Sequence, residues 1–452
     1  MGSTLSFQPF GSYTPKEYWA HSPEYFKAKK SGDTDEVETT SLRSFVESRC
    51  PSLLAEYHPA WWLFNGHLQT GYAAVGDFSQ VDKVVYDRKL LRLKDGGTIG
   101  LDFTPPASER ILDADTPVVV VLHGLSGGSY ESYVRAVLNP AISPKSEGGL
   151  GYRGVVVNFR GCAGVPLTTP YLYSAGHTDD LRQALIYLSH IYPNAPLLGL
   201  GFSLGASVLT KFLAQEGDHS RLISGCALGC PWDLSANADI LEGGLVQKHV
   251  YSKGMGHNLR QLVGKHLHTI SKFPDSPLAR AIPDLMSRKS VTLLEFDSLV
   301  TCVAGGAYGP FPFPDAYAYY RWGSCHKALK GLRVPFLAVN SGDDPIVQAL
   351  PLDAGDNGWI AMVVTPGGGH LGWFESVGYA SMEVKRWIRK PVLEWLRACA
   401  EDLIVDRGKG RTLKEIDGWL VEEGREHLGC RLIEGGGKVE GAEGQGGLIQ
   451  GL

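Results

Sequence analysis

The residues best suited to covalent chemistry are Gly201-Phe202-Ser203-Leu204-Gly205. A serine flanked by glycines two positions away on each side fits a sharp turn from strand into helix, one that presents the hydroxyl to a substrate. The glycines permit the close backbone approach such a turn requires. The flanks agree with this reading. APLLGLGF (195–202) is a short apolar run suited to a buried strand, and SLGASVLTKFLAQ (203–215) is a helix with Leu204, Val208, Leu209 and Phe212 for apolar contact. The competing reading of Ser203 is an ordinary helix N-cap.

A serine hydroxyl needs a base, and the base needs an acid to orient it. On a strand–turn–helix scaffold of this kind the three follow in the order Ser, acid, His, each on a loop after a later strand. His370 ends a strand within TPGGGHLGWFE, where three glycines let the loop approach the serine. The acid lies in NSGDDPIV, directly after the strand expected at 334–340. Asp344 is preferred because the usual acid loop reads Gly-x-Asp or Gly-x-x-Asp followed closely by Pro and an apolar residue. Asp343 then stabilises the loop, and it stays open as the alternative acid. His123 is read as shaping a loop. His67 either contacts the site from the N-terminal segment or caps a turn, the turn being preferred.

Negative charge developing on the substrate needs donors. HGLSGGS (123–129) follows an early strand, where one oxyanion donor is expected, so the backbone N–H groups of Leu125 and Leu204 are the candidate pair. The loop lacks the Lys-Ser/Thr ending of a phosphate-binding motif, and no GxGxxG follows the first strands. With these roles filled, Ser203 would attack an ester or thioester carbonyl and the acyl-enzyme would be released to water or to an alcohol. No cofactor and no metal are expected.

The elements that must position these residues alternate. VDKVVYDRKLLRLKDG reads as a strand pair, and TPVVVVLHG (116–124) and GYRGVVVNFRG (151–161) as strands ending in glycine-rich turns. Asp179–His190 reads as a helix, LISGCALGC (222–230) as a strand, and Phe374–Cys399 as a closing helix. Repeated strand-then-helix order predicts a mostly parallel sheet with helices on both faces. The expected organisation is a wrapping segment over 1–80, with a helix near Thr40–Glu56, and a core over 81–232 and 328–400. An inserted aromatic lid takes 233–327, and an extension takes 401–452. That extension should hold an amphipathic helix at Thr412–Glu423 and a mobile tail, GGGKVEGAEGQGG.

Composition excludes several classes. Hydrophobic residues at 43% and charged residues at 20% describe a globular chain rather than a disordered one. A net charge of −5 without a long basic stretch argues against nucleic acid as partner. The eight cysteines are too scattered for a zinc site and are expected as buried thiols. Gly2 with Ser6 formally fits a myristoylation signal. With neither a secretory signal nor a long apolar span, the expectation is a cytoplasmic protein, compatible with peripheral contact to membranes or lipid droplets. Oligomeric state is not legible.

Six ordered motifs carry a resemblance: NGHLQT (65–70), HGLSGGS (123–129), NFRG (158–161), GFSLGA (201–206), DDP (343–345) and GGHLGWFE (368–375). Together they resemble the ABHD1/ABHD3-type, or YheT-like, branch of the α/β-hydrolases, near the fungal medium-chain fatty acid ethyl ester synthase/esterases, over roughly 40–400. The resemblance implies an α/β-hydrolase fold with Ser203, Asp344 and His370 as triad. It also implies acyl esters, acylglycerols or acyl-CoA as substrates, with water or alcohol as acceptor. Two departures stand out: Ser207 where Asn is common, and Ile346-Val347 where Phe is frequent. An acyltransferase or thioesterase of secondary metabolism, and a non-catalytic binding protein of the same fold, are the competing readings.

Overall fold

The computed structural model describes residues 14–30, 36–378, 381–405, 410–441, 449 and 451. Its centre is a sheet of twelve strands, numbered here in chain order: β1 (Lys16–Tyr18), β2 (Val85–Leu93), β3 (Thr98–Thr104), β4 (Val118–Leu122), β5 (Arg153–Asn158) and β6 (Leu197–Phe202). The others are β7 (Ser224–Leu228), β8 (Phe336–Ser341), β9 (Ile360–Thr365), β10 (Leu413–Ile416), β11 (Trp419–Glu422) and β12 (Gly429–Glu440). Across the sheet they run β1-β9-β8-β7-β6-β4-β5-β3-β2-β12-β11-β10. The six central strands from β9 to β5 are parallel, and the strands flanking them pair antiparallel. This is the α/β-hydrolase architecture that the motifs imply.

The continuous valine run of β4 shows why the centre reads as apolar without alternation. Val118, Val120 and Leu122 enter one core, with the helices Asp179–Ile191 and Leu204–Glu216. Val119 and Val121 enter the other, with the helices Ser132–Ile142 and Arg389–Arg397. Both faces of the strand are covered, so each position is apolar. Each fully buried valine or leucine contributes roughly 1.5–3 kcal/mol of transfer free energy.

The structure corrects four expectations. Residues 85–93 form one long strand rather than a pair. The stretch 412–423 is a hairpin, β10 and β11, not a helix, because Asp417 and Gly418 both take positive φ in a two-residue turn. The expected closing helix starts only at Arg389; Phe374–Ser376 and Val384–Arg386 form a small antiparallel pair before it.

The fourth correction concerns the tail. Its first half is not mobile but the end of β12, which pairs along β2 with an irregularity between Ile433 and Gly437. Gly435 and Gly437 have φ of 107° and 140°, and a Cβ on Gly436 would sit 1.9 Å from the Arg88 carbonyl oxygen. The glycines that look like low complexity therefore allow a bulged edge. Residues 442–447 of that stretch, and the Gly2/Ser6 signal, lie outside the described residues.

The helices Leu42–Arg49 and Pro51–Leu54 occupy the expected helical region of the N-terminal segment. Residues 234–323 form mainly helices, among them Leu234–Gly243, Lys253–Lys265, Pro277–Ser287 and Ala316–Gly323. They share a core of their own that includes Leu259, Val263, Leu278, Leu285 and Phe296. All eight cysteines are buried free thiols. Among the described residues no helix is long and apolar enough to cross a membrane.

Candidate active site

Ser203 stands between β6 and the helix Leu204–Glu216 with φ 49° and ψ −119°. That is a strained conformation for a residue with a side chain, held by its surroundings. The two glycines make it possible. A Cβ on Gly201 would lie 2.6 Å from Ala206 Cα, and one on Gly205 would lie 2.4 Å from the Leu122 carbonyl oxygen. Any larger residue at either position would push the helix off the strand.

The structure brings three of the expected residues into one chain of hydrogen bonds. Ser203 Oγ is 2.9 Å from His370 Nε2, and His370 Nδ1 is 2.8 Å from Asp344 Oδ2. Asp344 Oδ1 accepts the backbone N–H groups of Ile346 at 2.8 Å and Val347 at 3.0 Å. His370 and Asp344 are each 2% exposed, so bulk water does not compete for the bond between them. With Asp344 as acceptor, the histidine proton resides on Nδ1 and Nε2 is free to accept from Ser203.

Asp343 takes a different place. Its Oδ1 accepts the Ser341 hydroxyl at 2.6 Å and the Gly369 backbone N–H at 2.9 Å, so it ties the acid loop to the histidine loop. Burial pushes its carboxyl above the usual range, partly opposed by those bonds.

The histidine loop is also clamped by the helix Gly66–Val75, whose Asn65 cap accepts from Leu68 N–H. Thr70 Oγ1 accepts the His370 backbone N–H at 2.8 Å and donates to the Gly66 carbonyl at 2.7 Å. Gln69 accepts Phe374 N–H at 2.7 Å and donates to the carbonyls of Leu63 and Phe374. These roles of Gln69 and Thr70 were not assigned from sequence. The signal was present in NGHLQT, but the partners lie about 300 residues away in the chain. His67 neither caps a turn nor reaches Ser203. It stacks on Tyr251, with Nδ1 2.7 Å from the tyrosine hydroxyl, and so joins this helix to the inserted helices.

The loop 123–129 lies beside Ser203: a Cβ on Gly124 would be 3.6 Å from Ser203 Cβ. Tyr133 accepts the Gly124 N–H at 2.9 Å, and Asn158, from NFRG, accepts the Ser129 N–H at 3.0 Å. His123 shapes the loop as expected, facing the Gly124 carbonyl through Nδ1 at 2.7 Å and accepting Phe159 N–H through Nε2 at 3.2 Å. Burial lowers its pKa to about 4, which keeps it neutral and preserves that donor–acceptor pattern.

Leu125, Ser203 and Leu204 open onto an apolar chamber whose walls include Leu234, Leu241, Leu259, Val263, Phe296 and Val347. More than half of the lining comes from the inserted helices, and most of the rest from the loops around Leu125, residues 172–175, Ser203 and residues 346–347. Among the described residues no cluster of three metal-ligating side chains occurs.

Residues 119–382 match the alpha/beta hydrolase family. The chain belongs to that family. Among relatives of this hydrolase, a monoacylglycerol lipase of Saccharomyces cerevisiae is 30% identical over 85% of this chain and 90% of its own. Phospholipase ABHD3 of Homo sapiens is 32% identical over 75% of this chain and 78% of its own. Medium-chain fatty acid ethyl ester synthase/esterase 2 of S. cerevisiae is 29% identical over 80% of this chain and 90% of its own. The hydrolase is thus related to lipases and esterases and is no closer in identity to one of these groups than to another.

Proposed function

We propose that this hydrolase cleaves carboxylic esters with apolar acyl groups through Ser203, His370 and Asp344. The observation that carries the reading is the unbroken bond path from Ser203 to Asp344 at the head of an apolar chamber. His370 Nε2 takes the Ser203 proton as Oγ attacks the carbonyl carbon, and Asp344 steadies the imidazolium. The oxyanion is held by the N–H groups of Leu125 and Leu204. Collapse breaks the ester C–O bond, and His370 returns its proton to the leaving alkoxide. Water, activated by the same histidine, then releases the acid and frees Ser203.

Transfer of the acyl group to an alcohol, or its supply as acyl-CoA, is the second reading. The relative whose name joins synthase and esterase activities favours it. A substrate with a long apolar acyl chain is drawn from a lipid phase, which suits peripheral contact with membranes or lipid droplets from the cytoplasmic side.

The deciding experiment is Ser203→Ala. It should abolish turnover of medium-chain p-nitrophenyl esters and labelling by a fluorophosphonate. Undiminished turnover would remove Ser203 from the mechanism. Adding alcohol to the wild-type reaction and separating ester from free acid then decides between the two acceptors.

A further inference from the structure

An oxyanion donor works only when its N–H is aimed, and buried side chains aim the one on Leu125. In a planar trans peptide the carbonyl of one residue and the N–H of the next point opposite ways. The direction of the Gly124 carbonyl therefore sets that of the Leu125 N–H, and His123 Nδ1 faces this carbonyl at 2.7 Å. His123 Nε2 accepts Phe159 N–H at 3.2 Å, which leaves the ring proton on Nδ1 to donate. One peptide earlier, Tyr133 accepts Gly124 N–H at 2.9 Å. One peptide later, the Tyr173 hydroxyl donates to the Leu125 carbonyl. Three successive peptide groups are thus each held by a different side chain.

Tyr173 differs from the other two in where it stands. It is a wall of the apolar chamber, as Leu125 is, and its ring stacks on Phe159 with centroids 4.9 Å apart. The segment that carries it is gripped from the far side by the inserted helices. Leu172 N–H donates to the Ala304 carbonyl at 2.7 Å, and Ala175 N–H donates to the Tyr319 hydroxyl at 3.1 Å. Gly176 lies against Trp322, where a Cβ would be 2.4 Å from the indole ring. An acyl chain in the chamber therefore fills the space between these helices and Tyr173.

We propose that Tyr173 is a positioning residue that ties the acyl chamber to the oxyanion hole. A chain packed against Tyr173 holds its hydroxyl on the Leu125 carbonyl, and so holds the Leu125 N–H on the developing oxyanion. The inference rests on the esterase reading, with Leu125 as a donor, and deepens it: acyl length is read in kcat and not only in binding. Tyr173 touches no reacting atom. A better-aimed donor bonds the oxyanion more than it bonds the ground-state carbonyl, so it lowers the barrier and leaves KM nearly unchanged. A two-carbon acyl group does not reach far enough to supply that packing.

The test compares p-nitrophenyl acetate with p-nitrophenyl octanoate on the full chain. The wild type should turn over the octanoate with the higher kcat. Tyr173→Phe keeps the ring and its stack on Phe159 and removes only the hydroxyl. It should lower kcat for the octanoate about tenfold, the size expected for losing one buried hydrogen bond, and kcat for the acetate less than about twofold. Both KM values should stay within about twofold of wild type. An eight-carbon trifluoromethyl ketone, whose hemiketal oxygen occupies the oxyanion hole, should lose affinity in step with the octanoate kcat, whereas inhibition by free octanoate should not change. Equal losses on the two esters, or a raised octanoate KM with kcat intact, would make Tyr173 merely structural or merely a wall and overturn the proposal. If Tyr173→Phe does not fold, Tyr319→Phe decides, since it frees the Ala175 N–H and leaves Tyr173 in place. It should lower octanoate kcat about threefold and spare acetate; equal losses refute the link. Cleavage of neither ester by the wild type, with Ser203 inert to a fluorophosphonate, would instead sink the esterase reading and this inference with it.

Discussion

Replacing Asp344 by Asn changes one atom and should nearly extinguish catalysis, for a reason the hydrogen bonds specify. Asp344 Oδ1 accepts two backbone N–H groups, from Ile346 and Val347, while Oδ2 accepts His370 Nδ1–H. An asparagine must keep its oxygen on the two backbone donors, since turning its NH2 toward them would set donor against donor. The NH2 then faces His370 Nδ1 from 2.8 Å, the position Oδ2 holds. Nδ1 becomes the acceptor, the ring proton moves to Nε2, and Nε2 can no longer take the Ser203 proton. The loss expected from the wrong tautomer is about 10⁴-fold in kcat, roughly 5.5 kcal/mol. Asp343→Asn makes the internal control. Its Oδ1 accepts from Ser341 Oγ and Gly369 N, and an amide oxygen can still accept both, more weakly. That variant should lose less than about tenfold, the effect of weakening bonds to a charged acceptor. Both variants are read with a medium-chain p-nitrophenyl ester after circular dichroism shows a native fold. Equal losses from the two, or D344N keeping more than about a hundredth of wild-type kcat, would refute the assignment of the acid.

Thr70→Val leaves the buried His370 N–H without its acceptor, so kcat should fall about tenfold while KM moves little, and Thr70→Ser should recover it. An unaffected Thr70→Val enzyme would show that the helix Gly66–Val75 does not hold the histidine. Val263→Phe narrows the acyl chamber and should cut kcat/KM about tenfold on the longest esters while sparing short ones; uniform loss across chain lengths would move the acyl chain elsewhere. His123 titrates at about 4 in the fold and near 6.5 when unfolded, so the unfolded chain binds the extra proton between those values. Its contribution, on the order of 3 kcal/mol, is therefore whole above about pH 6.5 and is lost as pH falls toward 4. Denaturant unfolding of His123→Gln should show a flatter acid limb in that window; an identical slope would exclude His123 as the titrating group.

What could be read from sequence follows the range over which each feature is determined. The strands β4 to β9 announce themselves because a strand covered on both faces must be apolar at every position, a purely local demand. Ser203 was legible for the same reason: its turn excludes side chains two residues away on either side, so the glycines are part of the signal. His370 and Asp344 were found by chain order rather than by local pattern. The misreadings share the opposite cause. In β12 the glycines mean nothing until Arg88 of the neighbouring strand lies against them. In 412–423 the hydrophobic spacing suits a helix, and the Asp417-Gly418 turn overrides it only because β12 offers an edge for the hairpin to extend. Thr70 lies within NGHLQT, but its role is defined by His370, 300 residues distant. Ser203 is thus fixed by a local signal and its acid and base by chain order, whereas Gln69 and Thr70 hold the histidine loop only once the N-terminal segment has packed onto the core. Substitutions at Gln69 or Thr70 should therefore lower kcat while leaving fluorophosphonate labelling of Ser203 in place.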